Sequence, residues 1–516
     1  VLILALSDDQ KQCRTWCTEQ IARLVLAETA TNLEKEGGDD MSIQQKINPA
    51  PEVTFKGNYF LEGNYGPVKA EHIATDMQVI GEIPADLKGH YLRIGPNPVY
   101  VSNVEKYHWF DGDGMVHAVQ FEDGAVTYRN RFVETEGLEW ERKEDRWLWR
   151  GLNGMMDGGP ALMPEGAPAG KNPGNTAFVN HNGTLYALHE GSDPHVMSLP
   201  DLATVGTTNF DGKLTHAFTA HPKVDPSTGE MMTFGYGPFP PFVTYSVINK
   251  EGALVHSTPI TIPKGVMMHD FACSRNYSIF LDFPLTFDIE AAMEGKSPLA
   301  FEPEHGSRIG IMPRLGSDKD VKWFTVDVGV VIHTANAWEE GDVVVLQACR
   351  SKSSDIIGAA EVDTDDPTDL LGQMYEWRIN VQTGDIIEGP LHEYYSDFPR
   401  INENYSGTKT RYTYSAEFDR TRDITFKALM KFDRETGETQ HHHVGEGRYV
   451  GEAVFAPKVG SSDEDDGYVI CFIQDENVNQ SECIIIDAKN FDGDPVARIL
   501  IPYRVPYGFH SGWVGA

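Results

Sequence analysis

The sequence predicts an all-β protein, arranged as a series of sandwiches, a barrel or a propeller. Three observations carry this. From about residue 55 onward, short β-rich runs such as "NTAFVNHNGTLYALHE" and "YVICFIQDENVNQSECIIIDA" alternate with turn signals. Asp123-Gly124, Asn182-Gly183 and Glu251-Gly252 sit between strand-like halves, as hairpin turns do. Helical periodicity is scarce over the same length. A propeller has a further consequence. Its inner strands converge on one axis, which is the geometry needed to gather side chains distant in sequence.

The elements follow in order. Residues 10–36 read as a helix, with Cys13, Trp16, Cys17, Ile21 and Leu24 at three- and four-residue steps. It is either packed on the main body or an amphipathic surface that touches lipid. Residues 35–50 read as a linker. The chain therefore divides into an N-terminal helix and linker, 1–50, and one β domain, 51–516. Within the domain, residues 138–174 form a long excursion, charged and Trp-rich at first and Gly/Pro-rich at its end. It is expected to be a lid or surface element. "FDIEAAMEGK", 287–296, reads as a helix, and "VGSSDEDDG", 459–467, as an acidic surface loop. "FDGDG" reads as a turn, lacking the Glu and spacing of a calcium loop.

Bulk composition excludes some functions. The chain has 516 residues, with 43 Lys and Arg against 77 Asp and Glu, a net charge of −34. Neutralising phosphates requires clustered cations, so a nucleic-acid partner is excluded. Contact with a membrane would have to be apolar. The six cysteines are scattered without disulfide or zinc spacing, which points to a reducing compartment. The opening "VLILALS" lacks a basic lead-in and makes a poor signal peptide. No apolar run reaches the roughly 18–20 residues of a spanning helix.

Four of the 18 histidines share a setting. His221 in "FTAHPKVDP", His269 in "VMMHDFA", His333 in "GVVIHTANAWEEGD" and His510 in "VPYGFHSGW" each follow apolar or small residues at an expected strand end. Their separations are of blade scale. Neutral imidazole is the commonest protein metal ligand, and four of them suit iron, copper, zinc or nickel. Spacing does not choose among these. His117 follows a turn and reads as structural. His441, His442 and His443 read as an exposed run, and His181, His195 and His256 lie in polar surroundings. No G-x-S-x-G elbow, P-loop or H-E-x-x-H is present.

At these residues the chain resembles the carotenoid cleavage oxygenases, and most closely the plant-type enzymes acting at the 9,10 and 9′,10′ double bonds. The matching stretches are "LRIGPNP", "YHWFDGDGMVHA", "FTAHPKVDP", "VMMHDFA", "NAWEEGD", "DFPRIN", "EAVFAP" and "RVPYGFH", which fall in family order over about residues 58–515. The resemblance implies a seven-bladed β-propeller with a helical and loop cap over the active-site face. It implies one Fe(II) per chain on the axis, held by His221, His269, His333 and His510, with O₂ as co-substrate. Glu190, Asp397 and Glu452 then match carboxylates that orient the ligand rings and balance charge. Asp397 stands where several family members have Glu. It is one methylene shorter, so its contact with a ring is expected to be looser or water-bridged. Thr176 matches a threonine whose methyl borders an open iron position.

The implied reaction is oxidative cleavage of a polyene C=C bond into two carbonyl products. The substrate is a carotenoid or apocarotenoid held in an apolar tunnel, and the implied location is cytoplasmic or plastid, with peripheral membrane contact. The alternative enzyme reading is cleavage of stilbenes at the same centre. Relatives of that type use a Lys beside the first of these carboxylates, with a tyrosine, to bind the phenol oxygen, where this chain has His189 before Glu190. Retinyl-ester isomerisation ranks below both, because its motifs differ. A propeller that only binds partners has no reason to keep four histidines and three carboxylates together.

Overall fold

The computed structural model describes residues 56–154, 163–294, 296–354, 366–420 and 424–516. The helix expected at 10–36, the linker at 35–50, and Cys13 and Cys17 lie outside these residues.

Strands dominate and group into seven blades. The first contains Ile73–Ala74, Gly89–Pro96, Gly114–Glu122 and Ala125–Phe132, joined by the C-terminal strand Ser511–Gly515. Ala177–His181 to Thr204–Thr207 form the second blade, and Lys223–Val224 to Leu254–Ile260 the third. The fourth pairs Ala272–Cys273, Tyr277–Asp282, Ser307–Pro313 and Lys322–Val326. The remaining three are hydrogen-bonded into one continuous sheet. Ile386–Arg400 causes that continuity. Its first half pairs outward with Gln373–Asn380 in the fifth blade, and its end pairs with Tyr412–Phe418 in the sixth. In the seventh, the early strand Gln78–Gly81 pairs with Ala497–Ile501. The first and seventh blades thus both combine chain from the two ends, which closes the ring.

Local sequence explains the layers. Middle strands such as "GYVICFIQD", Gly467–Asp475, are covered on both faces by neighbouring blades and are nearly continuous apolar runs. Outer strands alternate. "LVHSTPI", Leu254–Ile260, is buried at Leu254, Thr258 and Ile260 only, and its Pro259 is tolerated because the strand is an edge. The expected hairpins at Asp123-Gly124 and Asn182-Gly183 are present, with both residues of each pair at positive φ, as a two-residue turn demands.

Five expectations need correction. The helix at 287–296 shrinks to Ile289–Met293, capped by Asp288 and carried between the two strands Leu285–Phe287 and Leu299–Phe301. The 459–467 loop is not a free acidic surface: Asp465 is buried against Lys431 at 2.6 Å, and Glu464 accepts the backbone N–H groups of Arg411 and Tyr412. His442 is buried within its run, because alternate residues of a strand face opposite sides. His181 and His195 are also buried, rather than in polar surroundings. The four described cysteines, Cys273, Cys349, Cys471 and Cys483, are buried free thiols, as packing residues should be. Within 138–174, the helix Glu136–Glu144 is capped by Thr135 and buries Leu138 and Glu141. This part is packed into the body rather than a loose surface element.

Candidate metal centre

Four chain segments deliver one histidine each to the axis. His221 stands two residues before Lys223–Val224, His269 three before Ala272–Cys273, and His510 one before Ser511–Gly515. His333 lies inside Val330–Glu340, where the pairing slips on both sides of Thr334. The stretch around His269 is therefore not a strand interior. It is a buried approach to an inner strand, whose only pairing before Ala272 is a bridge between Val266 and Thr286. The four imidazoles place one ligand atom each within 4.8 Å of one another. His221 Nε2 and His269 Nε2 lie 2.9 Å apart.

The far side of three rings meets a carboxylate. His269 Nδ1 donates to Glu190 at 2.5 Å, His333 Nδ1 to Asp397 at 2.9 Å, and His510 Nδ1 to Glu452 at 3.1 Å. These contacts place the proton on Nδ1 and leave the Nε2 lone pair facing the centre. His333 Nε2 is buried and has no hydrogen-bond partner. A buried lone pair without a donor costs free energy unless a cation takes it. The fit to a metal ion therefore rests on three things: converging nitrogens, an orphaned acceptor, and carboxylates set to offset positive charge. His221 is held differently, through its backbone N–H, which donates to Thr219 Oγ1 at 3.0 Å.

For His221 and His510 the protonation states agree. Burial, and then the neighbouring imidazoles, hold His221 well below the usual histidine range, while burial brings His510 down to about 4. Burial also acts to lower His269, but the charge and hydrogen bond of Glu190 outweigh it and raise that ring. Burial would raise Glu452, yet the Arg400 guanidinium and His510 hold it at about 2. Arg400 Nη1 lies 3.4 Å from Glu452 and also donates to the Ser511 carbonyl at 3.0 Å.

Asp397 corrects the expectation of a loose or bridged contact. It reaches His333 directly because the backbone moves to meet it. The pairing with Tyr412–Phe418 slips by one residue between Asp397 and Arg400, and Phe398 takes φ +54°. A bulge of this kind re-aims side chains. The Phe398 ring then packs 5.2 Å from His333 and 5.3 Å from His510, centroid to centroid. Thr176 also adjoins the cluster. Its carbonyl accepts from the His510 N–H at 3.3 Å, and its hydroxyl donates to Asn175 at 2.9 Å.

A largely apolar cavity approaches the cluster from the cap. Tyr107, Phe110, Trp149, Leu152, Tyr236, Met267, Phe287 and Leu299 line it, and it reaches Glu190 and His189. Its wall is fixed by groups that motif reading missed. Asp111 of "FDGDG" accepts the Leu152 N–H at 2.7 Å, and Lys171 lies 2.6 Å from both Asp113 and Glu141. The turn expected there is present, at Trp109–Asp111, but its acids also anchor the excursion that follows. Tyr236 was missed as well: it lines the cavity together with Glu190. Its position in an ordinary-looking strand, Met231–Tyr236, gives no signal of this.

Comparison with known proteins agrees with this arrangement. The pattern of the family described as retinal pigment epithelial membrane protein matches residues 65–515. The carotenoid 9,10(9′,10′)-cleavage dioxygenase of Crocus sativus is 40% identical over 488 residues, covering 88% of this chain and 89% of that protein. The lignostilbene dioxygenase of Pseudomonas brassicacearum superposes with a TM-score of 0.84 at 29% identity, covering 90% of this chain and all of that one. The cobalt-substituted apocarotenoid oxygenase of Synechocystis gives a TM-score of 0.77 at 27% identity, over 87% and 97% of the two chains.

Proposed function

Since the chain belongs to the retinal pigment epithelial membrane protein family of carotenoid cleavage oxygenases, we propose that it is a non-haem Fe(II) dioxygenase that cleaves a carotenoid or apocarotenoid at the 9,10 (9′,10′) double bond. One observation carries this reading: four imidazoles converge, three of them with tautomers set by carboxylates, and one of those carboxylates, Glu190, also lines a largely apolar cavity.

His221, His269, His333 and His510 would hold the iron, and Glu190, Asp397 and Glu452 would fix three of the rings and offset the ion's charge. Iron bound there supplies the site at which O₂ is activated for splitting the double bond. The chain's own residues do the rest. Aromatic and aliphatic walls hold a hydrophobic rod beside the cluster and exclude water. Thr176, whose hydroxyl donates to Asn175, would border the metal with its methyl group. The family relation and the β-rich blades support a single β domain at 51–516. No helix among the described residues is long and apolar enough to cross a membrane. Peripheral contact is favoured by exposed Met293 and Phe239, on segments adjoining the cavity wall, and would bring membrane-dissolved substrate to the entrance. A cytoplasmic or plastid location follows from the substrate class.

The similarity to a lignostilbene dioxygenase supports a second reading, stilbene cleavage at the same centre. Against it stands His189 in the cavity wall. Burial lowers this imidazole to about 4, so near neutral pH it carries no charge to meet a phenolate. The test is aerobic incubation of the Fe(II)-loaded protein with β-carotene, an apocarotenal and resveratrol, with products identified by mass spectrometry. Ionone-type ketones and dialdehydes are expected. Products from resveratrol alone would transfer the protein to the stilbene reading. No product from any substrate, with iron bound, would sink the substrate assignment.

A further inference from the structure

A second approach to the histidines runs along the axis on the side away from the cap. Its wall follows the inner strands as they leave the cluster: the residues after His221, His333 and His510 line it, as do those three histidines themselves. The cap cavity meets Glu190 behind His269, whereas this channel meets the imidazoles directly. It opens among exposed Pro226, Glu403, Asn404 and Gly515.

The two approaches differ in chemistry. Beside apolar residues such as Phe178, Val179, Phe455 and Trp513, the channel carries the amides of Asn180, Asn336, Asn402 and Asn404 and three carboxylates, Asp270, Glu403 and Glu452, so its wall is mixed where that of the cap cavity is largely apolar. Its two cations are already paired. Lys223 sits 2.8 Å from Asp270, and Arg400 sits 3.0 Å from Glu403 and 3.4 Å from Glu452. Three carboxylates against two cations leave an excess negative charge along the route. A divalent ion loses much hydration energy in an apolar passage, and keeps it where carbonyls, carboxylates and water line the way. An apolar rod faces the opposite preference.

From these contrasts we infer that the metal ion enters and leaves by the more polar axial channel, while organic substrate uses the cap cavity. The inference rests on the reading of the four histidines as an Fe(II) site, and goes beyond it by assigning the ion its own route. Ferrous loading is then independent of what fills the cap.

The test is the rate of iron uptake by the full-length protein after its metal is removed. Apoprotein is mixed anaerobically with ferrous sulfate, quenched with a chelator at intervals, and its bound iron is measured. Ala335 lines the channel two residues beyond His333, roughly 7 Å along the strand. Ala335→Phe should slow uptake at least tenfold and leave the final iron content at one per chain. Glu403→Lys, at the exposed mouth, should also slow uptake, and the slowing should shrink as salt rises. Leu152→Trp, in the cap cavity, should load at the wild-type rate. Wild-type rates in both channel variants would overturn the route, as would slowing confined to Leu152→Trp. Should Ala335→Phe fail to fold, Glu403→Lys decides alone. Wild-type protein that never binds iron would instead overturn the four-histidine reading itself.

Discussion

Replacing Asp397 with Glu, the longer residue common in the family, is predicted to weaken metal binding rather than improve it. The Asp397 carboxylate already lies at hydrogen-bonding distance, 2.9 Å from His333 Nδ1, and also accepts the Phe398 N–H at 2.7 Å. A glutamate would extend the reach by about 1.5 Å, one C–C bond. The ring, already in direct contact, stands in the way of the longer side chain. The longer side chain must leave its rotamer, at about 0.5–1.5 kcal/mol, or displace the ring. Loss of a partner that orients a ligand typically costs 10–100-fold in metal affinity, about 1.4–2.7 kcal/mol. Asp397→Glu is therefore expected to lose about tenfold, and Asp397→Asn, which keeps the shape without the charge, 10–100-fold. The assay is competition for Fe(II) against a chelator of known affinity, with circular dichroism as the control for folding. Tighter binding by Asp397→Glu than by wild type would refute the claim that the bulge compensates for the short side chain.

Three further outcomes are expected. His269→Ala removes a donor and leaves Glu190 without its ring, so bound iron and cleavage products should both fall below detection, by elemental analysis and mass spectrometry. Lys171→Met leaves buried Asp113 and Glu141 uncompensated, which should cost about 3–5 kcal/mol and lower the urea midpoint; an unchanged midpoint would mean that the cluster carries no structural load. Glu340 is held at about 2, chiefly by its hydrogen bond to Arg378, against an unperturbed 4.5. Because the folded value is depressed, its contribution is fully present above about pH 4.5 and is lost as pH falls through about 2. With the side chain 30% exposed, that contribution is discounted to about 1–2 kcal/mol. Glu340→Gln should remove this part of the pH dependence, and an acid limb identical to wild type would count against it.

The β architecture and the four histidines were legible because both leave local marks. A strand writes an alternating or continuous apolar run, a two-residue hairpin writes Asp-Gly or Asn-Gly, and a ligand entering a packed axis stands as a polar residue among apolar ones. The misses share a cause: a side chain's role depended on something distant or on backbone shape. The reach of Asp397 depends on a bulge and on Phe398 at positive φ, which no propensity for Phe announces. Asp465 becomes buried only because Lys431, in another strand, turns toward it. Tyr236 looks like any core tyrosine until the strand carrying it meets Glu190. "NAWEEGD" was legible as a motif, yet its residues do scaffolding work. Asn336 donates to the Thr408 carbonyl, Glu339 accepts from Asn276, and Glu340 binds Arg378. The motif ties the fifth blade to its neighbours around His333.

The carboxylates serve the fold as well as the proposed chemistry. Each imidazole–carboxylate pair joins chain from different blades. Glu190 comes from the second and His269 from the entry to the fourth, Asp397 from the sixth and His333 from the fifth, and Glu452 from the entry to the seventh and His510 from the entry to the closing strand of the first. His221 Nε2 and His269 Nε2 lie at hydrogen-bonding distance, 2.9 Å, so without an ion one ring donates to the other. An ion bound there would take both lone pairs and link four segments spread across the whole sequence. Any ligand that binds the folded state alone stabilises it by mass action. Here the stabilisation falls on the ring closure itself, where Ser511–Gly515 completes the first blade directly after His510. Loading the proposed metal at the axis would thus also help to hold the blades in register.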